Sequence, residues 1–505
     1  MFRTLLALAG LLAVFWSSPE SVRAQEDFFQ KGLLLARESR FEEALDAFSR
    51  AIESRPDHAE AYNNRGAVHH YRKDYANAVE DYTRAIQLRP DSADFYNNRG
   101  ASWLQRGAWE KAQSDFEKAL DLGPGFAEAH KNLGMVLYLR SDYDGAAREY
   151  TRALELRPRA AEIFNNRGAA HYQKGSYFNA LKDYTRAVEL SPSLAEAYKN
   201  RGIVWFRMGH VEKAVEDFGL ALQHDPFFAD AYKNRGMAWY HAGRYNEALN
   251  DYIEALRLDP ESPEVNNQLA WMLSVCPDPK YRNGSKALDL ARKAVGLSES
   301  LATLDTLAAA HAEFGDFMAA AEIQEKVVAL ANGSRPEEHR RYLQRLEAYK
   351  DRRPWRSRPG AEKAHSYPAS GVVTASRANI RSDPSIASEI LAKLGRGETA
   401  ALLWKEGEWY LIEINPGRWA YAHESVISSG PAAPSAGAAE LGRFFVVGVD
   451  LARVREHAST DSAIIHRLRR GERVLSPQTM TDWHQVVLPD GRTGWVHKGL
   501  FIKNQ

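Results

Sequence analysis

The sequence predicts a mainly α protein: a stack of helix-pair repeats followed by two small β-barrels. Three observations carry that expectation. Five residue types recur in phase every 34 positions through most of residues 25–334. Two C-terminal stretches repeat each other at a spacing of 74. The hydrophobic period also changes between them, from the 3.6 of a helix face to the 2 of a half-buried strand.

The 34-residue repeat is the most specific signal. Gly32 to Gly236, Ala44 to Ala248, an aromatic from Phe48 to Tyr252, Ala51 to Ala255 and Pro56 to Pro260 each return at every 34th position. In the unit 59–92, Ala78, Tyr82 and Ala85 fall at i, i+4 and i+7 on one helix face. Gly66 sits mid-helix, where it costs ~1 kcal/mol against Ala, so its recurrence points to a crossing that a Cβ would obstruct. Pro90 ends the second helix because it lacks an N–H and clashes with the preceding turn. One such pair cannot bury its apolar face alone, so the units must stack.

This Gly, Ala, aromatic, Ala, Pro order resembles the tetratricopeptide repeat (TPR) family. The resemblance implies a right-handed α-solenoid of about nine units with a concave groove. The units start at 25, 59, 93, 127, 161, 195, 229, 263 and 301. The unit from 263 carries an insertion, Cys276 to Gly284, and the unit from 301 lacks the Pro and the second-helix aromatic. Residues 335–349 read as a polar closing helix, with Leu343 and Leu346 as its main apolar pair.

Composition and the N-terminus bound the function. Lys+Arg and Asp+Glu are 66 each, so no basic footprint argues for nucleic acid. Met1-Phe2-Arg3, the uncharged apolar run Thr4 to Trp16 and the Val22-Arg23-Ala24 ending read as a signal peptide over 1–24. That apolar run is shorter than the roughly 20 residues a bilayer span needs, so an uncleaved anchor is the less favoured alternative and no span is expected in the mature chain. A periplasmic or secreted protein follows. The lone Cys276 precludes an intramolecular disulfide and reads as a small buried hydrophobe.

Within a repeat array, invariant positions hold the fold and variable groove positions are free to recognise. Asn64, Asn98, Asn132, Asn166, Asn200 and Asn234 are expected to bond between repeats. Arg65, Arg99, Arg167, Arg201 and Arg235 are expected to lay their aliphatic stems along the stack. The position before each recurring Asn varies: Asn63, Asn97, Lys131, Asn165, Lys199, Lys233. Seven residues on come His70, Leu104, Tyr138, Tyr172, Phe206 and Tyr240, on the same helix face. The TPR resemblance makes that face the concave one. The candidate partner-binding set is therefore Asn97, Lys131, Lys199, Lys233, Tyr138, Tyr172 and Tyr240. Lys beside aromatics suits an acidic or C-terminal peptide segment, and Lys199 and Lys233 with Asn200 and Asn234 resemble the family's carboxylate clamp. The competing reading is solvated Lys and aromatics that merely pack.

Residues 350–370 are basic and Pro-rich and read as a solvated linker. A second linker, 429–443, is expected to be flexible. In the flanking stretches Arg381 maps to Arg455, Ile390 to Ile464, Gly397 to Gly471, Trp409 to Trp483 and His423 to His497. Asn379-Ile380-Arg381-Ser382-Asp383-Pro384 and Gly491-Arg492-Thr493-Gly494-Trp495 resemble the opening and closing motifs of the bacterial SH3 (SH3b) family. That resemblance covers 371–428 and 444–505 and implies SH3-like barrels that recognise cell-wall peptides or protein segments. Trp409, Trp483 and Trp495 read as packing residues. Trp404 and Trp419 have no Trp counterpart in the second copy and are the candidate SH3-like binding residues.

No phosphate-cradling loop, nucleophile elbow or paired metal-ligand motif is present in the sequence, so catalytic residues, metal and cofactor are expected to be none. The expected function is a non-catalytic interaction scaffold of the bacterial envelope, with a protein or peptide partner and peptidoglycan as the implied ligand classes. Two alternatives remain: a wall binder whose array is a spacer or multimeriser, and a regulatory adaptor for an envelope enzyme.

Overall fold

A computed structural model of the chain describes residues 19–357 and, between 371 and 502, fourteen strands with some of their turns; side chains are described for 28–357 and most of 378–427. Most of the expected signal peptide, the rest of the first linker beyond 357 and most of the second linker lie outside the described residues. The chain divides into two compact units, the first ending at Ser366.

In the first unit, nine helix pairs run from α1 (Pro19–Arg37) and α2 (Phe41–Ser54) to α17 (Leu301–Phe314) and α18 (Phe317–Leu330), and α19 (Pro336–Lys350) closes the stack. The pair α3 (Ala59–Tyr71) and α4 (Tyr75–Leu88) shows the rule. Ala78 and Ala85 are fully buried and Tyr82 nearly so. A Cβ on Gly66 would lie 3.0 Å from the Tyr82 ring, and in the seven units from Gly32 to Gly236 that distance is 2.6–3.1 Å. The recurring glycine therefore makes room for the aromatic of its own unit's second helix. Packing that ring against bare backbone lets the two helices approach closely.

Except in the unit from 263, the first helix stops in a left-handed residue, Ser39, Lys73, Gly107, Ser141, Gly175, Gly209, Gly243 or Gly315, with φ between 61° and 99°. The next two N–H groups then fold back. Lys73 N donates to His70 O and Asp74 N to His69 O, both at 2.9 Å. That closes carbonyls a helix end would otherwise leave open.

The closing helix differs from expectation. Leu343 is 39% exposed, whereas Arg345, Leu346, Ala348 and Tyr349 are buried. The helix turns its 342, 345, 346 and 349 edge inward, at i, i+3, i+4 and i+7. Arg345 is tolerated there because its guanidinium meets Asp305, whose other oxygen accepts from Gln324 Nε2 at 3.0 Å. Burial pushes the Asp305 carboxyl upward and Arg345 opposes it. The solvated-linker expectation fails for residues 354–357, whereas 351–353 are exposed as expected. Trp355 packs against a buried cluster that includes Val275, Ala309, Ala312 and Tyr349.

The second unit holds two seven-stranded antiparallel sheets of identical topology. The first comprises β1 (Gly371–Val373), β2 (Arg377–Arg381), β3 (Ile390–Gly395), β4 (Thr399–Glu406), β5 (Trp409–Asn415), β6 (Arg418–His423) and β7 (Ile427–Ser429). The second comprises β8 (Arg443–Val447), β9 (Leu451–Arg455), β10 (Ile464–Arg469), β11 (Arg473–Met480), β12 (Trp483–Val487), β13 (Thr493–His497) and β14 (Phe501–Ile502). Their orders are β3-β2-β6-β5-β4-β1-β7 and β10-β9-β13-β12-β11-β8-β14. Each strand thus has its counterpart seven strands on, as the 74-residue sequence repeat requires. The first core is built by Ala378, Ile380, Leu402, Tyr410, Ile412, Ala420 and Ala422, alternate residues of neighbouring strands.

Candidate partner-binding surfaces

The residues expected on the concave face divide into those that bond between units and those that pair within their own helix. Asn98 Nδ2 donates to Asn63 Oδ1, Asn132 to Asn97, and Asn200 to Asn165, each at 3.0 Å. The recurring Asn therefore bonds backward to the variable position of the preceding unit when that position is also Asn. Where the preceding unit carries Lys199, Asn234 turns to its own helix, donating to Asp230 O at 2.7 Å. Asn97 is 6% exposed and belongs to this ladder, so its amide oxygen is already engaged.

The three lysines also have partners. Lys131 pairs with Glu128, Lys199 with Glu196 and Lys233 with Asp230, each three residues back on the same helix. Lys199 Nζ lies 5.2 Å from the Phe228 ring centroid. The acids of the last two pairs are 45% and 55% exposed. Such partly exposed pairs are worth little, and an incoming carboxylate could exchange for the helix acid at small cost.

The aromatics form a continuous row. Tyr138, Tyr172 and Tyr240 each pack on the first aromatic of their unit's second helix, Tyr143, Tyr177 and Tyr245, with centroids 5.5–5.6 Å apart. Their hydroxyls reach into neighbouring segments. Tyr138 Oη accepts from Gln173 Nε2 at 3.3 Å and Tyr172 Oη from Arg207 Nε at 3.2 Å. Tyr240 Oη shares a 2.7 Å bond with Ser357 Oγ, and Tyr240 is buried. Tyr240, the last of the aromatics expected on this face, is covered by the chain itself.

The recurring arginines do more than lay down stems. Arg201 Nε and Nη2 bind Asp217 in a fork at 2.8 and 2.6 Å, Nη1 reaches Thr185 Oγ1 at 3.4 Å, and the guanidinium carbon lies 5.6 Å from the Tyr198 centroid. The same fork joins Arg65 to Asp81, Arg99 to Asp115, Arg167 to Asp183 and Arg235 to Asp251. Burial pushes the Asp217 carboxyl upward while Arg201 pulls it down. Forked, charge-assisted hydrogen bonds are shorter and stronger than neutral ones and fix the geometry of both groups. The sequence carried the signal: Asp recurs 16 residues after each Arg, and the one unit with Leu133 instead has Glu149 there. Glu149 turns to His130 Nδ1 at 2.7 Å.

In the first barrel, Trp404 stands across from Leu411, Leu411 from Tyr421, and Trp419 from Glu413. Cross-strand partners share a face, so both tryptophans lie on the face opposite the core, beside the buried Leu411 and Tyr421. Both are half-buried. Trp409 instead packs edge-on against His423 at 5.0 Å. The side chains of Trp483 and Trp495 lie outside the described residues.

A stacked helix-pair array followed by two small antiparallel β-domains defines a class of repeat protein with appended SH3-like modules. Tetratricopeptide repeat models match residues 29–93, 70–125, 98–150, 134–175, 170–209, 195–228 and 229–262, and a bacterial SH3 domain model matches 376–428 and 450–501. The chain carries tetratricopeptide repeats over residues 29–262 and two C-terminal bacterial SH3 domains. It is 29% identical over 129 residues to the "Putative N-acetylmuramoyl-L-alanine amidase YrvJ" of Bacillus subtilis (strain 168). That match covers 25% of this chain and 25% of the relative's length. Among solved structures, a chain of the Cut9–Hcn1 hetero-tetramer of the APC/C matches 56% of this chain and 55% of its own at 19% identity and TM-score 0.44. YrrB, described as a TPR protein with an unusual peptide-binding site, matches 37% of this chain and 96% of its own at 25% identity and TM-score 0.31. Among the described residues, no helix is long and apolar enough to cross a membrane.

Proposed function

We infer that this protein is a non-catalytic interaction scaffold of the bacterial cell envelope. Its array holds an extended segment of a partner protein, and its SH3 domains dock to peptidoglycan or to a second protein. The observation that carries the reading is the set of aromatics Tyr138, Tyr172 and Phe206, flanked by Lys131, Lys199 and Lys233, whose acid partners are replaceable; Tyr240, expected in the same set, is already covered by Ser357. Aromatic rings supply flat apolar area at low entropy cost, and the lysines supply donors for a carboxylate. The bacterial SH3 match and the amidase likeness support an extracytoplasmic setting. Replacing Lys199 and Lys233 together by Ala should cut capture of an acidic, C-terminal-type peptide about tenfold and leave the melting temperature unchanged. Unchanged capture would remove these lysines from the site.

The wall-binding alternative rests on the tryptophan face of the first barrel. Full-length protein should co-sediment with purified peptidoglycan sacculi, and Trp404→Ala with Trp419→Ala should release it. Failure of the unaltered chain to sediment would leave the SH3 pair as a protein-binding module.

A further inference from the structure

The unit from 263 breaks the helix-stop rule, and its departure has an occupant. Helix α15 (Pro263–Val275) does not end in a left-handed residue: Cys276 has φ −53° and ψ 132°. The insertion then leads through Pro277 and a short turn (Pro279–Tyr281) to α16 (Gly284–Leu297). Asn283 N takes Leu273 O at 2.9 Å, and Arg282 takes Cys276 O at 2.9 Å. The carbonyls of Ser274 and Val275 are closed by a distant segment: Arg356 Nη1 donates to Ser274 O at 3.2 Å, and Ser357 N donates to Val275 O at 2.9 Å.

The same segment makes three further contacts. Arg356 Nη1 lies 2.7 Å from Glu313 Oε2, at the end of α17. Ser357 Oγ bonds Tyr240 Oη, on α13 (Ala229–His241). The Trp355 ring lies 5.7 Å from the Arg345 guanidinium carbon. Glu313 is 14% exposed and is held from its other oxygen by Arg282 at 3.2 Å. Beside the segment lies a cavity of about 1130 Å³ whose lining includes Met237, Gln268 and Trp271.

We propose that the end of α15, with Glu313 and Tyr240, is a peptide-docking notch occupied in cis by Trp355-Arg356-Ser357, and that it takes partner segments of the same chemistry: extended, with an aromatic, then Arg, then a small hydroxyl residue. Val275 O reads a backbone N–H of the passing chain, and Ser274 O takes its guanidinium. Glu313 reads the guanidinium, and Tyr240 reads the hydroxyl. The requirement for Arg sets this notch apart from the lysine-flanked row, which suits a carboxylate. The proposal deepens the scaffold reading and rests on it, naming the ligand class for one end of the array. A tethered occupant acts at an effective concentration on the order of millimolar, so a partner must outcompete it or find it displaced.

The test uses full-length protein and a fluorescent peptide with the sequence of residues 351–358, Asp-Arg-Arg-Pro-Trp-Arg-Ser-Arg. The chain with Trp355→Ala and Arg356→Ala should bind this peptide at least tenfold more tightly than the unaltered chain, by fluorescence anisotropy. Adding Glu313→Gln should take that gain away, and a peptide with Glu in place of its second-last Arg should not bind. Ser357→Pro, which removes both the N–H to Val275 O and the hydroxyl to Tyr240, is a second way to loosen the occupant should the double variant misfold by circular dichroism. Equal binding to the unaltered and vacated chains, or none to either vacated chain, would overturn the notch. The lysines pair with Glu196 and Asp230 rather than with Glu313 or the carbonyls of Ser274 and Val275, so the two readings fail separately.

Discussion

A regular unit and the inserted unit solve the same problem in opposite ways. In the unit from 195, α11 (Ala195–Arg207) and α12 (Val211–His224) close on themselves: Gly209 and His210 cap Phe206 O and Trp205 O, and Arg201 forks Asp217. In the unit from 263, the cap is missing and the carbonyls look outward, to be met by residues 356 and 357. Self-contained units can be stacked in any number. An open one specifies a particular neighbour. The difference shows how a repeat array acquires a unique address without abandoning its core.

The largest expected effect lies in the regular unit. Arg201→Ala should strand a buried Asp217 and destabilise α11 and α12 by about 3–5 kcal/mol, read as faster amide exchange in those helices. Arg356→Ala, whose partner Glu313 keeps Arg282, should cost far less. A loss as large for Arg356 as for Arg201 would break the contrast.

Two glycines sharpen it next. A Cβ at Gly202 would meet the Phe218 ring at 2.8 Å, whereas a Cβ at Gly284 would meet the Glu313 and Phe314 backbone at 2.8 Å. A ring can shift and backbone cannot. Gly202→Ala should cost about 1–3 kcal/mol, as overpacking does, and Gly284→Ala more, by denaturant melts. The reverse order would mean that the insertion is looser than the array.

The smallest effect is in acid. Burial lowers the pKa of His70 and His171 below the usual histidine range. The folded array thus favours the neutral rings. Their contribution is present above the ordinary histidine pKa and is lost as pH falls through the lowered one. Replacing both by Asn should flatten the decline in melting temperature between about pH 7 and 5.

Legibility followed the repeat. Positions identical in every unit announced their role, because one packing solution recurs: Gly66 with Tyr82, Ala78, Ala85, and the stop at Pro90. The Arg–Asp fork was legible too, in the paired change to Leu133 and Glu149, but only when two positions 16 apart are read together. The aromatic row was found from spacing alone. That its lysines rest on Glu128, Glu196 and Asp230 depends on side-chain directions along the helix, which spacing does not report.

The sequence by itself determined the helix pairs, their count and stacking, and the twofold β-repeat, since these follow from local periodicity and from residues that fit only one place in a unit. Only the tertiary structure decided what happens where the pattern stops. Arg345 faces inward because Asp305 waits there, and Leu343 turns out. Residues 354–357, in a basic, proline-bearing stretch that reads as a solvated tether, pack because the inserted unit leaves two carbonyls open within their reach. A contact between residue 275 and residue 357 has no local signature. It exists because buried backbone groups must find partners, and the fold brings that segment past them.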